Sequence, residues 1–219
     1  MTQYENMATG IQLSPAIKLS GNFFSWILHP LLVGLYMALF LIYGNADYFV
    51  GISEAGKMQI LLIYIINSVF FPLVSVLLCK SLGFVRSFYL RTQKERIVLY
   101  SIVMIFFFWT FYVFKNKAGV PVVMAQMSLG IFFASVAAFI ANIYFKVSMH
   151  AIAVGGMLAL FTLLLYTTSA LVSIPLATSI LIAGIACTAR LIVSDHTVNE
   201  ISWGFILGFI SQGLAAWFI

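Results

Sequence analysis

Charge is scarce in this chain. Only 8% of its 219 residues are Asp, Glu, Lys or Arg, where a soluble domain carries about a quarter. Cysteine is nearly absent: Cys79 and Cys187 both sit inside apolar runs, which leaves no disulfide framework and no cysteine metal motif. There is no internal repeat, no low-complexity tract and no stretch that reads as a linker. The first twenty residues are polar and mixed; they lack the basic start, short apolar core and small-residue cleavage site of a secretory signal. The formal charge of +5 is too thinly spread to indicate nucleic acid and suits basic loops facing anionic lipid headgroups.

Apolar residues are what the chain has in abundance, at 63% of the total with a mean hydropathy of +1.09. A helix needs about 20 of them in a row to cross the hydrocarbon core. Seven such runs are predicted, near 23–43, 58–79, 97–114, 122–145, 151–170, 172–188 and 201–218. The fifth and sixth are separated only around Ser169–Ser173 and the Ile174–Pro175 bond, where one helix of that combined length would overshoot the bilayer. Backbone groups in lipid must be paired internally, so the runs form helices. The expected fold is all-α, a polytopic transmembrane bundle of six or seven spanning helices. It forms a single domain over 1–219 with a polar segment at 1–20. Gly155, Gly156 and the stripe Ala134, Ala137, Ala138, Ala141 read as close helix packing.

Parity then places the polar stretches. With the N-terminus on side one, the loops 80–96, 146–150 and 189–200 also fall on side one. They contain Arg91, Lys94 and Arg96, then Lys146, Ser148 and His150, then Arg190, His196 and Glu200. Side one holds eight of the eleven Lys and Arg residues, which favours side one as cytoplasmic. That bias disappears if Arg91, Lys94, Arg96 and Arg190 serve chemistry, so convergence of the loops is the firmer expectation.

The chemistry follows from residue type and spacing. His196 and Glu200 are four apart, one helical turn, so the carboxylate can hold an imidazole N–H and leave the other nitrogen as base or nucleophile. Arg190 offers a planar fork to a phosphate. Ser148 is a natural helix cap, and the unpaired amides behind it suit a phosphate oxygen. His150, in that first turn, can protonate a leaving alkoxide. Arg91, Lys94 and Arg96 are expected to add positive charge, as a phosphoryl transition state requires. Asp195 is expected to be solvated. His29, about two turns into the first predicted helix, faces either a neighbouring helix or a polar pocket, with Lys146 as a further outer contact. A metal held by His150, His196, Glu200 and His29 is the competing arrangement; the surrounding cations argue against it, so no metal and no cofactor are expected. If the charges only set topology, Arg190, His150 and His196 would lie apart.

These residues resemble the phosphatidic acid phosphatase type-2 superfamily, membrane relatives of the vanadium haloperoxidases. Ala189-Arg190, five residues, His196, three residues, Glu200 has the spacing of the family's third motif, which carries Ser before the Arg and Asp as its last residue. Ser148-Met149-His150 resembles the second motif, with Met where the family has Gly. The first motif is not reproduced: Arg91, Lys94 and Arg96 lie where it should fall, out of register and without the proline. His29-Pro30-Leu31 and the Lys-Glu-Arg loop resemble a compact bacterial branch with degenerate motifs. The resemblance implies hydrolysis of a membrane lipid phosphate or diphosphate through a phosphohistidine on His196. Glu200 would orient that ring, His150 would act as acid, and Arg190, Ser148 and the first-loop cations would bind phosphate. It implies a bacterial inner-membrane protein whose partners are the lipid substrate and the bilayer. The degenerate motifs keep a non-enzymatic lipid-phosphate binder or transporter open as the alternative.

Overall fold

The computed structural model describes residues 14–85, 92–168, 171–193 and 196–219. Among these there is helix and no strand. The order is α1 (Pro15–Ile27), α2 (Pro30–Gly44), α3 (Glu54–Ser81), α4 (Gln93–Asn116), α5 (Val122–Tyr144), α6 (Met149–Thr167), α7 (Ser173–Val193) and α8 (Val198–Phe218). Six helices, α3 to α8, are long and apolar enough to cross a membrane, and the pair α1 and α2 makes a seventh if its two pieces count as one broken span. The chain is an all-α bundle with the length and composition of a membrane protein. α6 is the most buried of these spans, packed along α8 and α7 and touching α2 and α5; α8 also packs along α5, α4 pairs with α5, and α1 with α7.

The first predicted helix, 23–43, is not continuous. It breaks at Leu28 and His29 and bends by 53°. The cause is Pro30. A residue before proline is pushed out of the helical region, and His29 sits at φ −60°, ψ 139°. Pro30 then opens α2 at a position where its missing N–H costs nothing. His29 is therefore the cap of α2, not a residue two turns inside a helix; its Nδ1 accepts the Leu31 N–H at 3.4 Å.

Two helices carry a π-turn, Phe40–Gly44 in α2 and Ile66–Phe70 in α3. The second precedes Pro72, which cannot continue a regular hydrogen-bond ladder. The expected close packing is found where α6 meets α8. A methyl at Gly155 would overlap the Phe205 carbonyl, and one at Gly208 the Ile152 carbonyl. Small residues let these backbones touch. Ser148 N–H donates to the Glu200 carbonyl at 3.2 Å, which fixes the start of α6 against the first turn of α8.

Candidate active site

Three helices begin at one place. α2 begins at His29, α6 at the Ser148 cap and α8 at the Thr197 cap. The last turn of α7 brings Arg190 there. Arg190 is an electrostatic neighbour of all three imidazoles, His29, His150 and His196. The rings of His29 and His150 meet edge to face with centroids 5.8 Å apart. Lys146 acts on His196. Of the three loops predicted to converge, the two that carry His150 and Arg190, His196 and Glu200 meet here.

The His196–Glu200 pair forms as the spacing predicts. Nδ1 of His196 is 2.7 Å from Oε2 of Glu200. A carboxylate can only accept, so Nδ1 carries the proton and Nε2 keeps its lone pair. The same Oε2 accepts the Thr197 N–H at 3.3 Å, and Thr197 Oγ1 accepts the Glu200 N–H at 3.3 Å. That capping box fixes the carboxylate before it meets the ring. Burial of His196 holds its pKa below the usual value; Lys146 and Arg190 push the same way, and Glu200 opposes them. The ring is thus neutral at pH 7, the form in which Nε2 can attack.

His150 is only 9% exposed, and its Nε2 lies 3.0 Å from the Ser25 carbonyl at the end of α1. A carbonyl can only accept, so Nε2–H donates and Nδ1 is the nitrogen left to exchange a proton. His29 has the opposite arrangement. Its Nδ1 accepts from Leu31, so in the neutral ring Nε2 carries the hydrogen. Ser25 and the His29 break bind the cluster to the α1–α2 corner, a contribution the sequence did not announce.

Other expected residues are placed differently. Ser148 is fully buried; its hydroxyl accepts the Ala151 N–H at 3.4 Å, so it caps α6 instead of presenting itself as a phosphate contact. Arg96 lies in the first turns of α4, not in a loop, and its Nε donates to Asn142 Oδ1 at 2.8 Å. It clamps α4 to the end of α5, where Gln93 also donates to the carbonyls of Asn142 and Ile143. Lys94 is exposed on the same turn. Neither Arg96 nor Lys94 acts on the three imidazoles. Arg91 and Asp195 lie outside the described residues.

The cluster is rich in cations and imidazoles and holds one carboxylate, a set suited to an anion. Among the described residues no three His, Cys, Asp or Glu side chains are grouped to hold a metal ion. Tyr100 went unnoticed in the sequence, where it is one aromatic among many. It is 3% exposed and close to Arg96, and its hydroxyl has no hydrogen-bond partner among the described residues. Compared with protein-family models, curated proteins and solved structures, the chain matches none.

Proposed function

We propose that this protein is a membrane phosphatase that removes phosphate from a lipid phosphate or diphosphate, in the manner of the type-2 phosphatidic acid phosphatases that its motifs resemble. The observation that carries the reading is the geometry of His196, held by Glu200 at 2.7 Å with Arg190 beside it. In the first step His196 Nε2 attacks phosphorus as the P–O bond to the lipid breaks. The leaving oxygen takes a proton from Nδ1 of His150 in its imidazolium form, with the ring steadied by the Ser25 carbonyl. Arg190 and the Nε2–H of His29 hold the non-bridging oxygens, where negative charge is spread in the transition state. Water then attacks the phosphohistidine. Its proton returns to His150, and inorganic phosphate leaves with His196 again neutral.

The substrate is a lipid because the residues surround the end of an apolar bundle. The bacterial inner membrane, with the site toward the cytoplasm, is the placement that the motif resemblance and the excess of cations on side one favour. Purified protein in detergent is expected to release phosphate from a panel of lipid phosphates, and His196→Ala to abolish release while the protein stays folded. Full activity in that variant removes the nucleophile from the mechanism.

A second reading, a binder or transporter of the same lipids, is favoured by the burial of His150, which restricts the approach of a leaving oxygen. Trapping acid-labile phosphate on His196 separates the two, because a binder forms no covalent intermediate.

A further inference from the structure

Beneath His29 the bundle has a partly open cavity of ≈ 250 Å³ between α2, α3, α4, α5, α6 and α8. Its wall is apolar for most of its length, with Met37, Val76, Leu99, Val103 and Ile152 among its residues. His29 belongs both to the cavity and to the imidazole cluster. Deeper in the wall stand Ser68, Tyr64 and Gln212, the Tyr64 hydroxyl facing Gly34 just over one helical turn into α2 from His29. Gln212 lies roughly 20 Å along α8 from its first residue at about 1.5 Å per residue, so it is past the middle of a core about 30 Å thick.

Three observations mark this space as a binding site and not a packing gap. Polar side chains inside a membrane span are rare and mark substrate paths, yet this wall has Tyr64, Ser68, Ser135 and Gln212. Ser68 is held in the π-turn of α3 by Thr110 at 2.9 Å, and such turns recur at functional sites. Tyr100 lines the same wall, buried, with its hydroxyl lacking a hydrogen-bond partner among the described residues.

We propose that the cavity binds one hydrocarbon chain of an amphiphile whose anionic head sits at the imidazole cluster, and that the deeper polar groups limit the length of that chain. The proposal rests on the phosphate-site reading for the head and is independent of turnover. The Tyr100 hydroxyl bonds the first polar atom beneath the head. Those groups are already bonded, Tyr64 to Ser68 and Gln212 to the Gln126 carbonyl at 3.4 Å. A longer chain must break those bonds or leave between helices, and either outcome costs affinity.

The test uses alkyl phosphates with a terminal diazirine, applied to the full-length protein in nanodiscs, irradiated and mapped by mass spectrometry. Chains that fit are expected to label the segments around Met37, Tyr64 and Gln212, and excess unlabelled alkyl phosphate is expected to prevent it. Filling the space with Ala153→Phe, or with Ala134→Leu should the first variant fail to fold, is expected to cut labelling by the longest accepted chain about tenfold, the worth of roughly two methylenes. Label confined to outward positions such as Trp109 and Trp217, or a chain-length profile unchanged by the filling variants, overturns the proposal. Phosphate release is measured in the same samples. Labelling of the cavity without release supports the chain site and refutes hydrolysis; release without cavity labelling does the reverse.

Discussion

Glu200 does two things with one oxygen, and two substitutions separate them. Its Oε2 accepts the Thr197 N–H at 3.3 Å as part of a helix cap and meets His196 Nδ1 at 2.7 Å. Glu200→Ala removes both contacts, and loss of a cap of this kind costs about 1 kcal/mol. For a chain of this size that corresponds to a fall in Tm of about 2–4 °C. Glu200→Gln keeps an amide oxygen at the position where capping boxes accept Gln as readily as Glu, so its stability is expected within about 0.5 kcal/mol of the parent. The amide is neutral, however, and a charge-assisted bond is about twice as strong as a neutral one. An amide can also turn its NH₂ toward the ring and select the wrong tautomer. Both variants are therefore expected to lose phosphate release by about 10²–10⁴-fold. The acid limb adds a signed check. Glu200 raises the His196 pKa against the lowering effect of burial. Any residual activity of the Gln variant should therefore persist to lower pH than in the parent protein. The assays are phosphate release across pH and thermal unfolding in one detergent. A Gln variant with activity within about twofold of the parent refutes the orienting role. Equal losses of Tm in the two variants refute the cap.

Lys146→Gln removes one of the charges that hold the His196 pKa down, so the acid limb of its pH profile should move up, opposite to Glu200→Gln; a shift of the same sign in both rules out this electrostatic account. Arg190→Ala is expected to lose at least about 10²-fold in turnover, while exposed Lys94→Ala stays within about twofold; comparable losses in both would return the first-loop cations to the site. Gly208→Ala should lower stability by about 1–3 kcal/mol and impair activity, since its methyl overlaps the Ile152 carbonyl, whereas Gly156→Ala has 3.5 Å to its nearest neighbour and should be tolerated. Thermal unfolding of the pair decides it, and equal Tm values would show that α6 and α8 can slide apart without cost.

The helices were legible because lipid imposes a single simple demand, a long apolar run, and six of the seven predicted runs each have one helix under them. The His196–Glu200 pair was legible because the two residues share one helical turn, so their meeting needs no knowledge of other elements. The break at His29 was written in the Leu-His-Pro sequence, but the unbroken apolar run from 23 to 43 concealed it; apolarity and backbone restriction are separate signals, and the first was louder. Arg96 misled because a basic residue beside a membrane helix looks alike whether it faces phosphate or a neighbour, and its partner Asn142 is 46 residues away. The Ser25 carbonyl that holds His150 is 125 residues distant and is a backbone group, so no residue type could have pointed to it. Tyr100 and the cavity exist only once six helices are packed.

The site is assembled almost wholly from helix ends, and this explains why it suits an anion. A helix N-terminus has roughly half a positive charge in its unpaired amides. The starts of α2, α6 and α8 meet here, with Arg190 in the last turn of α7 and Lys146 just ahead of α6. Against this stands one carboxylate, Glu200, already engaged by His196 and Thr197. Positive groups gathered at the edge of a low-dielectric bundle repel one another more strongly than they would in water. Burial lowers the His196 pKa most, and Lys146 and Arg190 add to that lowering. A phosphate placed among them, as proposed, would relieve that repulsion. That field depends on the Leu28–His29 break, which turns α2 so that its first turn joins those of α6 and α8 instead of letting a straight helix pass through.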